Sequence, residues 1–248
     1  MKKFLSILLA CSVLMAAGCS DSTVSENSQT SGESSADSTS GDASEVTPET
    51  SSEPESSNEE SSVPEENSEI DYSALSEEEI YDLMVNRSLM TTGDMTRMAN
   101  VLSKAQNGEE ITVAYLGGSI TYGMTVAPNE PEKCWAYRST EWLREQFPDA
   151  TVNYVNAGMS GTPSILGNAR LERDVLAYDP DIVFVEFAVN DGNSSEYQVA
   201  YDSLVRTLLT QDKDIAVVLL FTVIESGHTC QEYMSRVGEQ YGLPMISE

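Results

Sequence analysis

The apolar run Ile111–Leu116 leads straight into Gly117-Gly118-Ser119-Ile120-Thr121. Two glycines permit a sharp turn, and a serine on such a turn can present its hydroxyl as a nucleophile. Taken alone, the segment suits a phosphate cradle or a bare loop equally well. Two further segments weigh on the choice. Asn156-Ala157-Gly158 ends a second apolar run, where a glycine can bring its N–H close to a substrate oxygen. Val189-Asn190-Asp191 follows a third, where an asparagine amide can donate. Ser119, Gly158 and Asn190 together supply an attacking hydroxyl and two neutral donors for the oxyanion that forms when a serine attacks an acyl carbon. The chemistry indicated is acyl transfer through a serine.

Such a serine needs a base. The sole histidine, His228, lies in Glu225-Ser226-Gly227-His228, an acid-x-x-His spacing. It is the alternative base on offer, set against an ordinary surface-loop histidine.

These residues require a scaffold that collects three loops on one edge. Short apolar runs predict strands at Ile111–Leu116, Thr151–Val155, Ile182–Phe187 and Ile215–Phe221, with a fifth starting near Pro244-Met245-Ile246. Helical stretches alternate with them at Trp135–Phe147, Ile165–Tyr178, Glu196–Gln211 and Thr229–Tyr241, after an amphipathic lead-in over Ser76–Ala105. Strands apolar on both faces, alternating with helices, imply an α/β fold with a parallel sheet covered on both sides. Right-handed crossovers then place every strand-to-helix loop on one edge, where open α/β sheets bind ligands. Since the sequence stops at Glu248, the fifth strand is expected to have a bare flank, and the domain is expected to continue beyond it.

At this point the chain resembles the SGNH (GDSL-type) hydrolases. Gly117-Gly118-Ser119-Ile120-Thr121 is similar to their first block, Asn156-Ala157-Gly158 to the second and Val189-Asn190-Asp191 to the third, over roughly Gly93–Ser247. The resemblance implies a flavodoxin-like three-layer sandwich and no cofactor. It also implies that Ser119 is the nucleophile and that its own N–H, the Gly158 N–H and the Asn190 amide form the oxyanion hole. There are departures. The usual aspartate after the first glycine is Gly118, as in a Gly-Gly-Ser-Ile-Thr branch, and the glycine two residues before the asparagine is Ala188. The Asp-x-x-His block that supplies the base is absent. The implied function is a serine esterase that removes small acyl groups, acetyl on extracellular carbohydrate above all. The rivals are a non-catalytic glycan- or protein-binding module on the same fold and a flavodoxin-type cofactor binder. The second is disfavoured because Gly117–Thr121 is too short a loop and would leave Asn190 unused.

The N-terminus fixes the setting. Lys2-Lys3 and the apolar run Phe4–Ala17 have the layout of an export signal, too short to be a spanning helix. Met15-Ala16-Ala17-Gly18-Cys19 resembles the lipobox of bacterial lipoproteins, with Cys19 the lipidated mature end. The expected division is a signal peptide over 1–18, a linker over 19–75 and the hydrolase-like domain over 76–248. Between Ser20 and Glu79 there are 18 acidic residues and no Lys or Arg, a composition that cannot bury a core and predicts a disordered stalk. About 60 flexible residues reach roughly 40–50 Å. The expected location is extracytoplasmic, with membrane contact through the lipid only.

The net charge of −28 argues against nucleic acid as a partner, which leaves an acylated small molecule or polysaccharide. With Cys19 lipidated, Cys134 and Cys230 are read as free or joined in one bridge. No metal-ligand cluster is visible. Trp135, Tyr137 and Trp142 read as core, with Trp135 the best substrate wall, and Glu172-Arg173-Asp174 as a solvated helix face.

Overall fold

Five apolar runs read from the sequence are strands in the computed structural model, which describes residues 71–124, 126 and 130–247. The expected export signal, Cys19 and the acidic stretch through residue 70 lie outside the described residues. The last part of the expected linker contains one 3₁₀ turn, Tyr72–Ala74. The domain that follows runs α1 (Glu77–Ser88), β1 (Leu89–Thr91), α2 (Thr96–Gln106), β2 (Ile111–Gly117), α3 (Ser119–Tyr122) and α4 (Trp135–Gln146). It continues with β3 (Val152–Gly158), α5 (Ser164–Asp174), β4 (Ile182–Glu186), α6 (Ser195–Leu209), β5 (Ala216–Phe221), α7 (Gln231–Tyr241) and β6 (Met245–Ser247).

The sheet order is β1-β6-β5-β4-β2-β3, parallel throughout except for the antiparallel β1–β6 pair. Every residue of β2, β4 and β5 is buried, as expected of strands covered on both faces. Alternation along the strands divides the core in two. Val113, Tyr115, Phe184 and Val218 pack with α2 and α4, whereas Leu116, Val183, Val185 and Leu219 pack with α5, α6 and α7. This is the three-layer sandwich expected from the sequence. Without β1, the strand order is that of the flavodoxin-like fold, and it reverses between β2 and β4. The crevice at such a reversal is where these sheets take ligands.

Two expectations are corrected. The amphipathic lead-in is not one helical stretch: α1, closed by a Ser76/Glu79 capping box, ends at Ser88, and β1 intervenes before α2. The chain turns at Gly93, whose φ of +55° suits glycine and where a Cβ would collide with the backbone of Gly242 and Leu243. The flank of β6 is not bare either. β1 pairs with it, Leu89 opposite Ile246 and Thr91 opposite Met245, and both Met245 and Ile246 are buried.

Candidate active site

The end of β2 turns through Gly118 into α3, a single helical turn that starts at Ser119 and closes at Gly123 in the left-handed region. The glycine pair serves close packing, and neither glycine has a positive φ. A Cβ on Gly117 would collide with the Thr121 side chain, and one on Gly118 with the Asn190 amide. The same clash shows that Asn190 lies directly against the Gly118–Ser119 turn. β4 and the turn after it carry Asn190 there, with its N–H bonded to the Phe187 carbonyl at 2.9 Å. Ser119 and Asn190 thus come together at the reversal of strand order. Neither the Ser119 N–H nor its Oγ has a hydrogen-bond partner among the described residues, and Asn190 Oδ1 is buried without one.

Gly158 reaches the same edge but is not a free donor. Its N–H is bonded to Asn156 Oδ1 at 2.8 Å, and the Asn156 amide donates in turn to the Thr121 carbonyl at 3.0 Å and the Tyr154 hydroxyl at 2.9 Å. Expecting a free donor at Gly158 therefore needs correction: this glycine is required by close packing. A Cβ there would collide with Tyr122 N and lie 2.7 Å from Thr121 C. Three residues on, Gly161 has φ +72° and an N–H with no partner among the described residues. Gly158→Ala should cost about 1–3 kcal/mol through overpacking and lower the thermal midpoint by several degrees. A midpoint equal to wild type in calorimetry would contradict the tight contact.

His228 does not pair with Ser119. It lies in an exposed loop where its Nε2 donates to the Asp191 carbonyl at 3.2 Å, and no hydrogen bond joins it to Glu225 among the described residues. The loop closes on itself instead, through Ile224 N to the His228 carbonyl and Gly227 N to the Ile224 carbonyl. Asp191 is committed as well. Its buried carboxylate accepts Ser164 N–H at 2.7 Å and the Tyr233 hydroxyl at 2.8 Å, and burial pushes its pKa up. Cys134 and Cys230 are free thiols, both buried.

A cavity of about 270 Å³ opens beside the serine, lined by Ser119, Ile120, Met124, Lys133, Cys134 and Trp135. Trp135 meets Tyr115 and Phe184 edge to face, at ring distances of 5.2 and 6.0 Å. It is therefore both packed and available as a wall. Trp142 is core, and Tyr137 packs on Tyr154. Arg173 and Asp174 form an ion pair on the face of α5.

Two charged residues at the site escaped the sequence reading. Arg170, 8% exposed, donates to the carbonyls of Ala157 at 2.6 Å and Gly117 at 3.1 Å, tying the ends of β3 and β2 together. Its signal was a cation at an inward position of a helix. Glu186 lies fully buried against the turn that carries Ser119. Its signal was a carboxylate inside an otherwise apolar strand.

The GDSL-like Lipase/Acylhydrolase family pattern matches residues 115–242. An acetylxylan esterase of Geobacillus stearothermophilus is 28% identical over 111 residues, covering 40% of this chain and 51% of that protein. A two-domain esterase (CEX) active on acetylated mannans, solved with mannopentaose, is 37% identical with a TM-score of 0.62, covering 65% of this chain and 44% of that one. The same esterase solved without that ligand gives 36% identity and a TM-score of 0.62, with 65% and 43% covered. The chain thus spans about half the length of these relatives or somewhat less.

Proposed function

The chain belongs to the GDSL-like lipase/acylhydrolase (SGNH) family, and from that premise we propose that it is a serine esterase that removes acetyl groups from polysaccharide. The observation that carries the reading is the meeting of Ser119 and Asn190 at the reversal of strand order, where Asn190 packs against Gly118. Ser119 Oγ attacks the ester carbonyl and gives up its proton to a base. The Ser119 N–H and the Asn190 amide donate to the oxyanion, together with an N–H from the loop after β3. Among the described residues the unengaged amides of that loop are those of Ser160 and Gly161, while Gly158 would first have to leave Asn156. Collapse of the oxyanion expels the sugar oxygen, which takes the proton back from that base, and leaves an acetyl-serine. Water then attacks this ester through the same oxyanion geometry and releases acetate. Among the described residues, no histidine or carboxylate is hydrogen-bonded to Ser119 Oγ.

The substrate class is supported by the relatives, an acetylxylan esterase and an esterase active on acetylated mannans. We propose the setting as well: an extracytoplasmic domain held to the bacterial membrane by a lipid on Cys19, with the acidic stretch as its tether. Support for this lies in the sequence of residues 1–79. The test is acetate release from acetylated mannan and acetylated xylan by the full chain, followed enzymatically. The expected result is release that stops in Ser119→Ala. A folded protein that binds the polysaccharide and frees no acetate would favour the binding-module reading.

A further inference from the structure

Glu186 is the last residue of β4 and is fully buried, on the side of the sheet that faces α4. Its Oε2 accepts the Thr121 hydroxyl at 2.9 Å and its Oε1 the Thr222 hydroxyl at 2.9 Å. The backbone N–H groups of Gly118 and Thr121 lie near enough to the same carboxylate to favour its charged form. A carboxylate offers about four acceptor positions, and four donors converge on this one. Three of the four belong to the nucleophile turn, one on the residue before Ser119 and two on the second residue after it. The Ser119 N–H is thereby left to face elsewhere.

Retaining this group has a thermodynamic cost. No Lys, Arg or His forms a salt bridge with Glu186 among the described residues. Burial raises its pKa, with the Thr222 and Thr121 hydroxyls and the Gly118 and Thr121 amides acting in the opposite direction. An apolar side chain in this central strand would avoid the desolvation of a carboxyl. A buried carboxylate whose donors bracket one half-buried serine fits a structural need at that serine better than a need of the sheet.

We propose that Glu186 is the positioning residue of the active site: its carboxylate gathers the Gly118 and Thr121 amides and the Thr121 and Thr222 hydroxyls and so fixes where Ser119 presents its hydroxyl and N–H. The proposal rests on the esterase reading of Ser119. Glu186→Gln keeps the shape but replaces two acceptor positions with N–H donors that oppose those already present. Displacing a reacting group by about 1 Å costs up to about 10²-fold in rate. The expected result is therefore a kcat roughly 10- to 100-fold lower on an aryl acetate, with KM changed by less than about threefold. Labelling of Ser119 by a serine-directed phosphonate should slow by a similar factor.

Hydrogen exchange over residues 118–123 reads the turn without turnover and should become faster in Glu186→Gln. Thr121→Val should reproduce the loss, whereas Thr121→Ser, which keeps the oxygen, should recover most of it; a purely structural contribution would track the thermal midpoint instead. If Glu186→Gln does not fold, Thr222→Val removes one donor from outside the turn and should slow labelling several-fold. Wild-type labelling rates in whichever of these variants folds would overturn the positioning role while leaving the esterase reading intact. A wild-type protein that is never labelled, with unchanged exchange in Glu186→Gln, would overturn both.

Discussion

In a chain that includes the Asp-x-x-His block, replacing Ser119 with alanine is expected to lower aryl-acetate hydrolysis by about 10⁴- to 10⁶-fold, the range seen when a catalytic serine is removed from its oxyanion hole. The fold should not register the change. Ser119 Oγ has no hydrogen-bond partner among the described residues, and the close contacts of the turn are made by Gly117, Gly118 and Thr121. The thermal midpoint should therefore stay within about a degree of wild type, as for a surface substitution away from packed features. Residual turnover above a few per cent would assign the hydrolysis to another residue. A large fall in midpoint would instead mean that the serine contributes to the packing of the turn.

Asn190→Ala should lower turnover by about 10²- to 10³-fold, or about 3–4 kcal/mol of barrier, as for the loss of one oxyanion donor. Most of the change should appear in kcat, because the donor matters when charge develops on the carbonyl oxygen and less when substrate binds. Its Oδ1 is already buried without a partner, so little hydrogen bonding within the protein is lost on truncation. Asn190→Asp makes the prediction sharper. It keeps the shape against Gly118 but exchanges an amide for an anion beside a developing negative charge, and it should be slower than Asn190→Ala. Near wild-type turnover in either variant would remove Asn190 from the oxyanion site.

The residues that meet at the sheet edge were legible because each follows an apolar run, and alternating strands and helices oblige such loops to gather on one edge. The reversal of order between β2 and β4 then follows from topology, and it falls at the two strands that lead to Ser119 and Asn190. What sequence did not convey lies in contacts that carry no period. β1 is three residues long and its Leu89 sits at helical spacing from α1, so the strand was hidden until β6 offered it an edge. The bond that occupies the Gly158 N–H comes from Asn156, two residues earlier, and a side chain that captures a nearby amide leaves no mark in a motif. His228 has the spacing of an acid-x-x-His base, yet its loop turns the ring toward Asp191. Arg170 and Glu186 read as isolated charges in otherwise apolar faces. Their partners are the carbonyls at the ends of β2 and β3 and the hydroxyls of Thr121 and Thr222, which only the assembled sheet brings near.

The central claim is that Ser119 is a nucleophile at this edge, and the most direct measurement is peptide mapping by mass spectrometry after the full chain reacts with a serine-directed phosphonate. A single adduct on the peptide that contains Ser119, absent from Ser119→Ala treated in the same way, is the predicted result. An adduct on another serine, or labelling that persists in Ser119→Ala, would contradict it.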